Sequence, residues 1–148
     1  MFVEGWALYG EEMLLRTGLY PENSASQGQV LRAARFRAAR VGVDVNLQTG
    51  RWTFEQAVQY FMEAGGLDRE AAEGEAAGAA SSPSQKITYM VGKWQIMRLL
   101  GRYRDHQSAN FRLGAFHDQL ISYGSLPLSI VEWLMLGDST SVMRASDR

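Results

Sequence analysis

The first sixteen residues constrain the fold most, because their apolar side chains recur at the spacing of an α-helix. One face of this predicted helix carries Trp6, Tyr9 and Met13. A second face carries Leu8 and Leu15, and Glu4 lies on it one turn before Leu8. Both faces are predicted to be buried, so the chain opens with a helix that needs other elements around it.

The rest of the chain also shows helix signals, and no stretch alternates as a strand does. Ser24 or Ser26 can cap a second helix, and Thr53 with Gln56 forms a capping box for a third. Pro83 is suited to the first turn of a later helix. The predicted helices cover 1–16, 25–47, 53–64 and 67–80, then begin near 83 and 111, and end with 129–136. We predict an all-α single domain of six or seven helices over 1–136, with a flexible tail at 137–148.

Composition excludes several classes of protein. The 148 residues are 46% hydrophobic, which is enough for one domain with a core. A net charge of −1 gives no field that would attract nucleic acid or an anionic membrane, and the arginines of the second helix spread around its axis. The absence of cysteine excludes disulfides and thiolate metal sites. No run of 18 apolar residues and no export signal is present, so the sequence as encoded predicts a cytoplasmic protein, with export possible if the true N-terminus lies upstream.

The run Glu4-Gly5-Trp6-Ala7-Leu8-Tyr9, followed by Glu11 or Glu12, resembles the EGWALYxE signature of a bacterial zincin-like family. This family, domain of unknown function 885, is distantly similar to carboxypeptidase Taq and thimet oligopeptidase. In it a His-Glu-x-x-His helix supplies two zinc ligands and a general base, and the resemblance implies that Glu4 is the third ligand. Three protein ligands leave a fourth position for a water whose pKa the zinc lowers. The alternative is that Glu4 only faces the unpaired N–H groups of the first helical turn.

The zinc-binding helix of the family has no counterpart in this sequence. The only histidines are His106 and His117, and eleven positions on one helix span about 16 Å, too far to share a metal. The chain therefore resembles the C-terminal part of the family. Zinc is expected in the complete family protein, and no tightly bound zinc is expected in this chain alone. His106 is expected to be a solvated residue near the end of a helix.

A second stretch of the resemblance contains Arg37, Arg40 and Asp44, which fall on one helix face. We expect them to form a substrate-binding or structural polar network, and Arg40 is spaced to pair with Asp44. Many relatives have a histidine where this chain has Gln48. Glutamine forms hydrogen bonds but cannot carry a proton, so a role that needs that proton is absent here.

Two later stretches resemble the family around Tyr89 and His117. The resemblance implies that Tyr89 lies beside the scissile carbonyl, where its O–H would stabilise an oxyanion, and that His117 contacts the substrate or the transition state. The alternatives are a half-buried tyrosine with a backbone partner and a hydrogen-bonded histidine at the edge of the core.

Two functions follow from these patterns. In the first, the chain is the C-terminal part of a zinc-dependent peptidase, active only when the His-Glu-x-x-His part is supplied. In the second, it is a non-catalytic helical module. The absence of a neighbouring helix is then expected to leave the apolar faces around Trp6 and Leu8 exposed. These faces would be covered by a second copy in a homo-oligomer or by an N-terminal partner chain.

Overall fold

The computed structural model describes residues 1–22, 24–140 and 142–143, and within them the chain is all-α, as the sequence predicts. Its seven α-helices in these ranges are α1 (Phe2–Arg16), α2 (Ala25–Gln48), α3 (Phe54–Tyr60), α4 (Arg69–Ser81), α5 (Thr88–Gln107), α6 (Leu113–Ser122) and α7 (Leu128–Leu136). A π-helical turn, Phe61–Gly65, follows α3, and a 3₁₀ turn, Ser108–Asn110, follows α5. Asn23 of the predicted connector, and Ser141 and 144–148 of the predicted tail, lie outside the described residues. The boundary of the tail stays a prediction.

The helix starts follow the capping chemistry of the sequence. The Ser24 hydroxyl accepts a hydrogen bond from the Gln27 amide at 3.2 Å and caps α2. Thr53 and Gln56 form the predicted capping box of α3. The Asp68 carboxylate caps α4. This cap, together with the burial of three alanines, Ala72, Ala76 and Ala79, maintains α4 despite its two glycines.

Two predicted helix boundaries are wrong. The third helix does not continue regularly to Ala64, because its last turn widens into the π-helical turn before Gly66, whose φ is +74°. Arg35 caps this turn by donating hydrogen bonds to the carbonyl oxygens of Ala64 and Glu63, both at 2.7 Å. The fifth helix begins at Thr88 and not near Pro83, since the segment between them is an irregular turn in which Ser84 has a φ of +68°.

Two clusters of buried side chains form the interior. The first joins α1, α5, α6 and α7 and includes Tyr9, Ile96, Phe116 and Val131. The second joins α2, α3, the π-helical turn and α4. It is built largely from alanines with Val43, Val58 and Phe61, all fully buried. The long helices α2 and α5 pack against each other between the clusters.

Helices α1 and α5 cross at a pair of glycines. A Cβ built on Gly5 would lie 2.4 Å from the carbonyl carbon of Gly92, and one built on Gly92 would lie 2.3 Å from the Met1 carbonyl oxygen. Real Cβ atoms essentially never come within 3.0 Å of such atoms. The two backbones therefore approach each other as closely as they do only because neither residue has a side chain.

The apolar faces around Trp6 and Leu8 are not exposed, contrary to the sequence prediction. Leu8 is buried between α1 and its neighbours, and Trp6 is half-buried against the first cluster. The exposed side of α1 is the opposite one, and it carries Val3, Ala7 and Leu14. In the described ranges no helix is both long and apolar enough to cross a membrane.

Candidate functional site

Glu4 is a half-buried acid with no partner. It lies in the first turn of α1, and its carboxylate forms no hydrogen bond or ion pair with another described residue. Among the described residues, the other buried or half-buried acidic side chains are all bonded to basic side chains or to backbone amides. They are Glu11, Glu12, Asp44, Glu75, Glu132 and Asp138. Glu4 is therefore the one carboxylate of this group that is available to a ligand.

The two other acids on the same side of α1 are held by neighbouring helices. Arg37 of α2 donates to both carboxylate oxygens of Glu11, at 2.7 and 3.0 Å. Glu12 bonds to Lys93 of α5 and to Arg16 one turn later on α1. The hydrogen bond from Lys93, helped by Arg16, holds the pKa of Glu12 below its ordinary value despite partial burial. These pairs fix α1 against α2 and α5 about two helical turns after Glu4.

Arg40 lies at the centre of a second polar group. It donates two hydrogen bonds to Glu75 of α4, at 3.1 and 2.8 Å, and Lys86 approaches the same carboxylate at 3.4 Å. Burial raises the pKa of Glu75, but the bonds and charges of Arg40 and Lys86 together outweigh it and leave that pKa below its ordinary value. The Arg40 guanidinium also lies over the rings of Phe36 and Tyr89, with centroids at 4.3 and 5.4 Å.

Asp44 does not pair with Arg40, contrary to the spacing argument. Its carboxylate is only 2% exposed and accepts hydrogen bonds from the backbone amides of Ser84 at 3.0 Å and Lys86 at 3.1 Å. These bonds hold the irregular turn before α5, which explains why that helix begins later than Pro83. The predicted set of Arg37, Arg40 and Asp44 is thus three separate tethers of α2, to α1, to α4 and to this turn.

Tyr89 and Glu4 belong to the same helix crossing. Glu4 precedes Gly5, and Tyr89 lies one turn before Gly92 on α5. The Tyr89 side chain is half-buried, its ring lies beside the Arg40 guanidinium, and its hydroxyl has no hydrogen-bond partner among the described residues. The expected backbone partner for this hydroxyl is thus not found in that part of the chain. The two helices that meet at this crossing therefore each carry one polar side chain without a partner among the described residues, Glu4 on α1 and Tyr89 on α5.

His117 lies in a different environment, on the side of α1 that faces α6. Its Nε2 is 2.8 Å from the Tyr9 hydroxyl, and its ring packs against those of Trp6, Tyr9 and Phe116 at 5.5 to 5.7 Å. Burial lowers the pKa of His117, although the nearby Asp118 carboxylate opposes this shift. Burial likewise raises the pKa of Tyr9, with the negative charge of Glu12 adding to the effect. Tyr9 points about 140° away from Glu4 around the helix axis, so His117 and Glu4 occupy different faces of α1.

The described residues contain no group of three acidic or histidine side chains that could hold a metal ion. His106 is exposed near the end of α5, in agreement with the sequence. Gln48, at the position of the relatives' histidine, donates a hydrogen bond to the Ala79 carbonyl oxygen at 2.7 Å and ties α2 to α4. A metal site that used Glu4 would need its other ligands from outside these residues.

The sequence reasoning overlooked Glu132 of α7, which is 2% exposed and is bonded to Arg98 and Arg102 of α5. Arg102 also pairs with Asp138, whose pKa is lowered to about 2 by hydrogen bonds from the Thr140 hydroxyl and amide and then by Arg102. A signal was present, because Glu132 is a single acid in an otherwise apolar helix and a buried charge requires a partner. The partners are Arg98 and Arg102, which lie four residues apart on α5.

The fold and these residues define an all-helical protein that joins its helices by paired charges and leaves one half-buried carboxylate, Glu4, unpaired. The family is identified by its sequence model. Residues 1–135 match the family described as bacterial protein of unknown function (DUF885), so the chain belongs to this family.

Two solved structures are similar to this chain, each described as a "putative lipoprotein". The first is a protein of unknown function from Shewanella oneidensis, which is 31% identical over 91% of this chain with a TM-score of 0.81. The second, from Colwellia psychrerythraea, is 31% identical over 99% of this chain with a TM-score of 0.82. The matches cover only 25% and 24% of those proteins, so this chain spans about a quarter of their length. A comparison with curated proteins gives no match.

Proposed function

We propose that this chain contributes one part of a zinc-dependent peptidase site, with Glu4 as a metal ligand and Tyr89 as the group that stabilises the oxyanion. The observation that supports it is the Glu4 carboxylate, which is the one buried or half-buried acid of the described residues without a partner. A carboxylate without a basic partner has oxygen lone pairs available to a cation. The remaining ligands and the general base would come from polypeptide outside this chain.

Glu4 fits zinc as one ligand of a set and not as a complete site, because a catalytic zinc takes three protein ligands. The bound metal would activate water and polarise the peptide carbonyl. Tyr89 has a free hydroxyl that can donate a hydrogen bond to the developing negative charge on that oxygen. Arg40, beside the Tyr89 ring and bonded to Glu75, restricts the positions that the ring can take.

His117 is proposed to act through α1 and not on the substrate. Its hydrogen bond to Tyr9 and its contacts with the rings of Trp6 and Tyr9 hold α6 against α1. Because it lies on the opposite face of α1 from Glu4, this histidine helps to position the helix that carries Glu4. Burial lowers the pKa of this histidine, which favours its neutral form in this position.

The test uses a chimera in which this chain replaces the matched quarter of the Shewanella oneidensis protein. Zinc content is measured after dialysis, and peptide hydrolysis is followed by mass spectrometry. Glu4→Gln should reduce bound zinc at least about tenfold, because loss of a ligand weakens the site. Glu70→Gln, an exposed acid in the first turn of α4, is the matched control and should change nothing. Equal zinc in the parent chimera and the Glu4→Gln variant, or zinc held stoichiometrically by the 148-residue chain alone, would refute the proposal.

The second candidate function is a non-catalytic helical module that associates with itself or with another chain. The exposed apolar side of α1 favours association with another chain. Light scattering of the purified chain distinguishes the states by mass, and an apolar dye reports exposed surface. A monomer that binds no dye would count against this second function.

The location of the protein is proposed to be the cytoplasm, as the sequence predicts. The lipoprotein description of the two relatives suggests the cell envelope as the alternative. Fractionation of source cells with an antibody against this chain tests the proposal, and signal confined to the membrane fraction would overturn it.

A further inference from the structure

The exposed side of α1 forms one line of small and apolar residues, which we call the outer stripe: Val3, Ala7, Gly10 and Leu14. They are spaced at i, i+4, i+7 and i+11, so they fall along one edge of the helix. Val3 is 61% exposed and Leu14 is 41% exposed, although both are large apolar residues. The outer stripe lies opposite the side of α1 that packs on α5.

Helix α1 is therefore apolar on its exposed side as well as on its buried side. Its inner side places Gly5 against α5 and Tyr9 in the first cluster. A surface helix usually has one apolar side and one polar side, so a second apolar side opposite the buried one indicates a further contact surface. The acids between its two apolar sides, Glu11 and Glu12, are occupied by Arg37 and Lys93.

Gly10 lies on the outer stripe and leaves its backbone open, as Gly74, Gly101 and Gly114 do in other helices. A Cβ built on it would meet nothing within 4 Å, whereas one on Gly5 would collide with Gly92. A glycine inside a helix is less favourable than alanine, so it needs a reason. Nothing in the described part of this chain supplies one. A second backbone that approaches the outer stripe as closely as α5 approaches Gly5 would supply it.

The size of the outer stripe argues against a second copy of this chain as its occupant. From Val3 to Leu14 the stripe is about 16 Å long. One helix crossing of that length buries well below the roughly 1,200 Å² of a stable dimer interface. In contrast, the two similar structures contain about three times as much further polypeptide, because the matches cover only 25% and 24% of them.

We propose that the outer stripe is the docking surface for an apolar α-helix from the polypeptide that corresponds to the other three quarters of these relatives. This inference rests on the proposed function in one respect: the docked helix is taken to belong to the same polypeptide that would supply the other zinc ligands. Docking there places the incoming helix along the edge of α1 next to Glu4, one residue after Val3. The outer stripe thus joins the unpaired carboxylate to the part of the protein that would complete its site.

The experiment compares three substitutions in the isolated chain and in the Shewanella chimera. Leu14→Arg and Gly10→Leu change the outer stripe, and both new residues favour helix. Phe54→Arg is the matched control, because Phe54 is 44% exposed and lies on α3 in the other cluster. In the isolated chain, none of the three should lower the Tm by more than about 3 °C, because surface changes have small effects. In the chimera, the two stripe variants should lower the Tm by about 3 °C or more beyond their effect in the isolated chain, and Phe54→Arg should not.

The proposal would be overturned if the stripe variants changed the Tm equally in the isolated chain and in the chimera. It would also be overturned if Phe54→Arg lowered the Tm of the chimera as much as the stripe variants do. A chimera that does not fold while the Shewanella parent folds would also overturn it. An isolated dimer that Leu14→Arg dissociates would show that a second copy is the occupant. Zinc is measured on the same samples, so the two ideas fail separately. If the Tm values change as expected but no zinc is bound, only the proposed zinc site is refuted. If zinc is bound but the stripe variants change the Tm equally in both contexts, only the proposed docking surface is refuted.

Discussion

Replacing Gly5 by alanine should separate α1 from α5, although the same change at Gly10 should stabilise the protein. Both glycines lie inside α1, so both substitutions gain about 1 kcal/mol of intrinsic helix preference. Their surroundings differ completely. The new Cβ at position 5 lies 2.4 Å from the Gly92 carbonyl carbon, whereas at position 10 it meets nothing within 4 Å.

The expected sizes follow from these distances. Ordinary contact begins at 3.4 Å, so the Gly5→Ala variant must move two helix backbones apart by about 1 Å. Because backbone cannot rotate away as a side chain can, the cost should reach the upper part of the roughly 1–3 kcal/mol seen for overpacking. After the helix preference is subtracted, Gly5→Ala should destabilise by about 2 kcal/mol. Gly10→Ala should stabilise by about 1 kcal/mol.

Thermal unfolding of the isolated chain, monitored by circular dichroism, measures the stability change of each variant. For 148 residues the unfolding entropy is about 0.3 kcal/mol per degree. The Tm should therefore fall by about 6 °C in Gly5→Ala and rise by about 3 °C in Gly10→Ala. If the two variants have the same Tm, the close approach of α1 and α5 is not the reason for Gly5, and the packing argument is refuted.

Three further outcomes are expected. Burial lowers the pKa of His117 below its ordinary value of 6.5, so as the pH falls the unfolded chain is protonated at this residue before the folded chain is. The contribution of His117 to the free energy of unfolding should therefore be fully present above pH 6.5 and decrease below it. Urea titrations at about pH 7.5 and about pH 5 should show a smaller difference in His117→Gln, and an unchanged difference would contradict this. Asp44→Ala should cost about 2–4 kcal/mol in urea unfolding, because two part-buried hydrogen bonds to its carboxylate are lost, and a loss below about 1 kcal/mol would contradict that role. Glu132→Gln should cost about 1–3 kcal/mol, less than a fully buried pair, because Arg98 and Arg102 remain partly exposed; a variant as stable as the parent would refute this.

The helices themselves could be predicted from the sequence because their signals are local. Periodicity and the caps at Ser24 and Thr53 act within a few residues, and the structure confirms them. The start of α5 could not be predicted. The Asp44 carboxylate, forty residues earlier in the chain, binds the Ser84 and Lys86 amides in a turn where Ser84 has a φ of +68°, which a right-handed helix does not contain. Such a bond appears only when α2 and the turn before α5 are brought together.

The candidate site was predictable only in part, for the same reason. The i, i+4 rule suggested Arg40 with Asp44, but Arg40 meets Glu75 in a helix that lies far along the chain. The exposed side of α1 was also predicted wrongly, because Trp6 and Leu8 are as apolar as Val3 and Leu14. Which apolar side is covered depends on how the helices pack, and a single helix does not encode that.

The two buried clusters are connected across a boundary where charges are prominent. Arg37 meets Glu11 there, Arg40 lies over Tyr89, and Asp44 holds the turn before α5, with Leu8 as a buried apolar contact. Salt screens partly exposed charges far more than it weakens apolar packing. At higher ionic strength, the helices of the first cluster and those of the second should therefore unfold as two separate cooperative units. Hydrogen exchange would then show a different free energy of opening for each cluster. In that case α1 would move away from α2 while both clusters stayed folded, and the setting of Glu4 would depend on ionic strength.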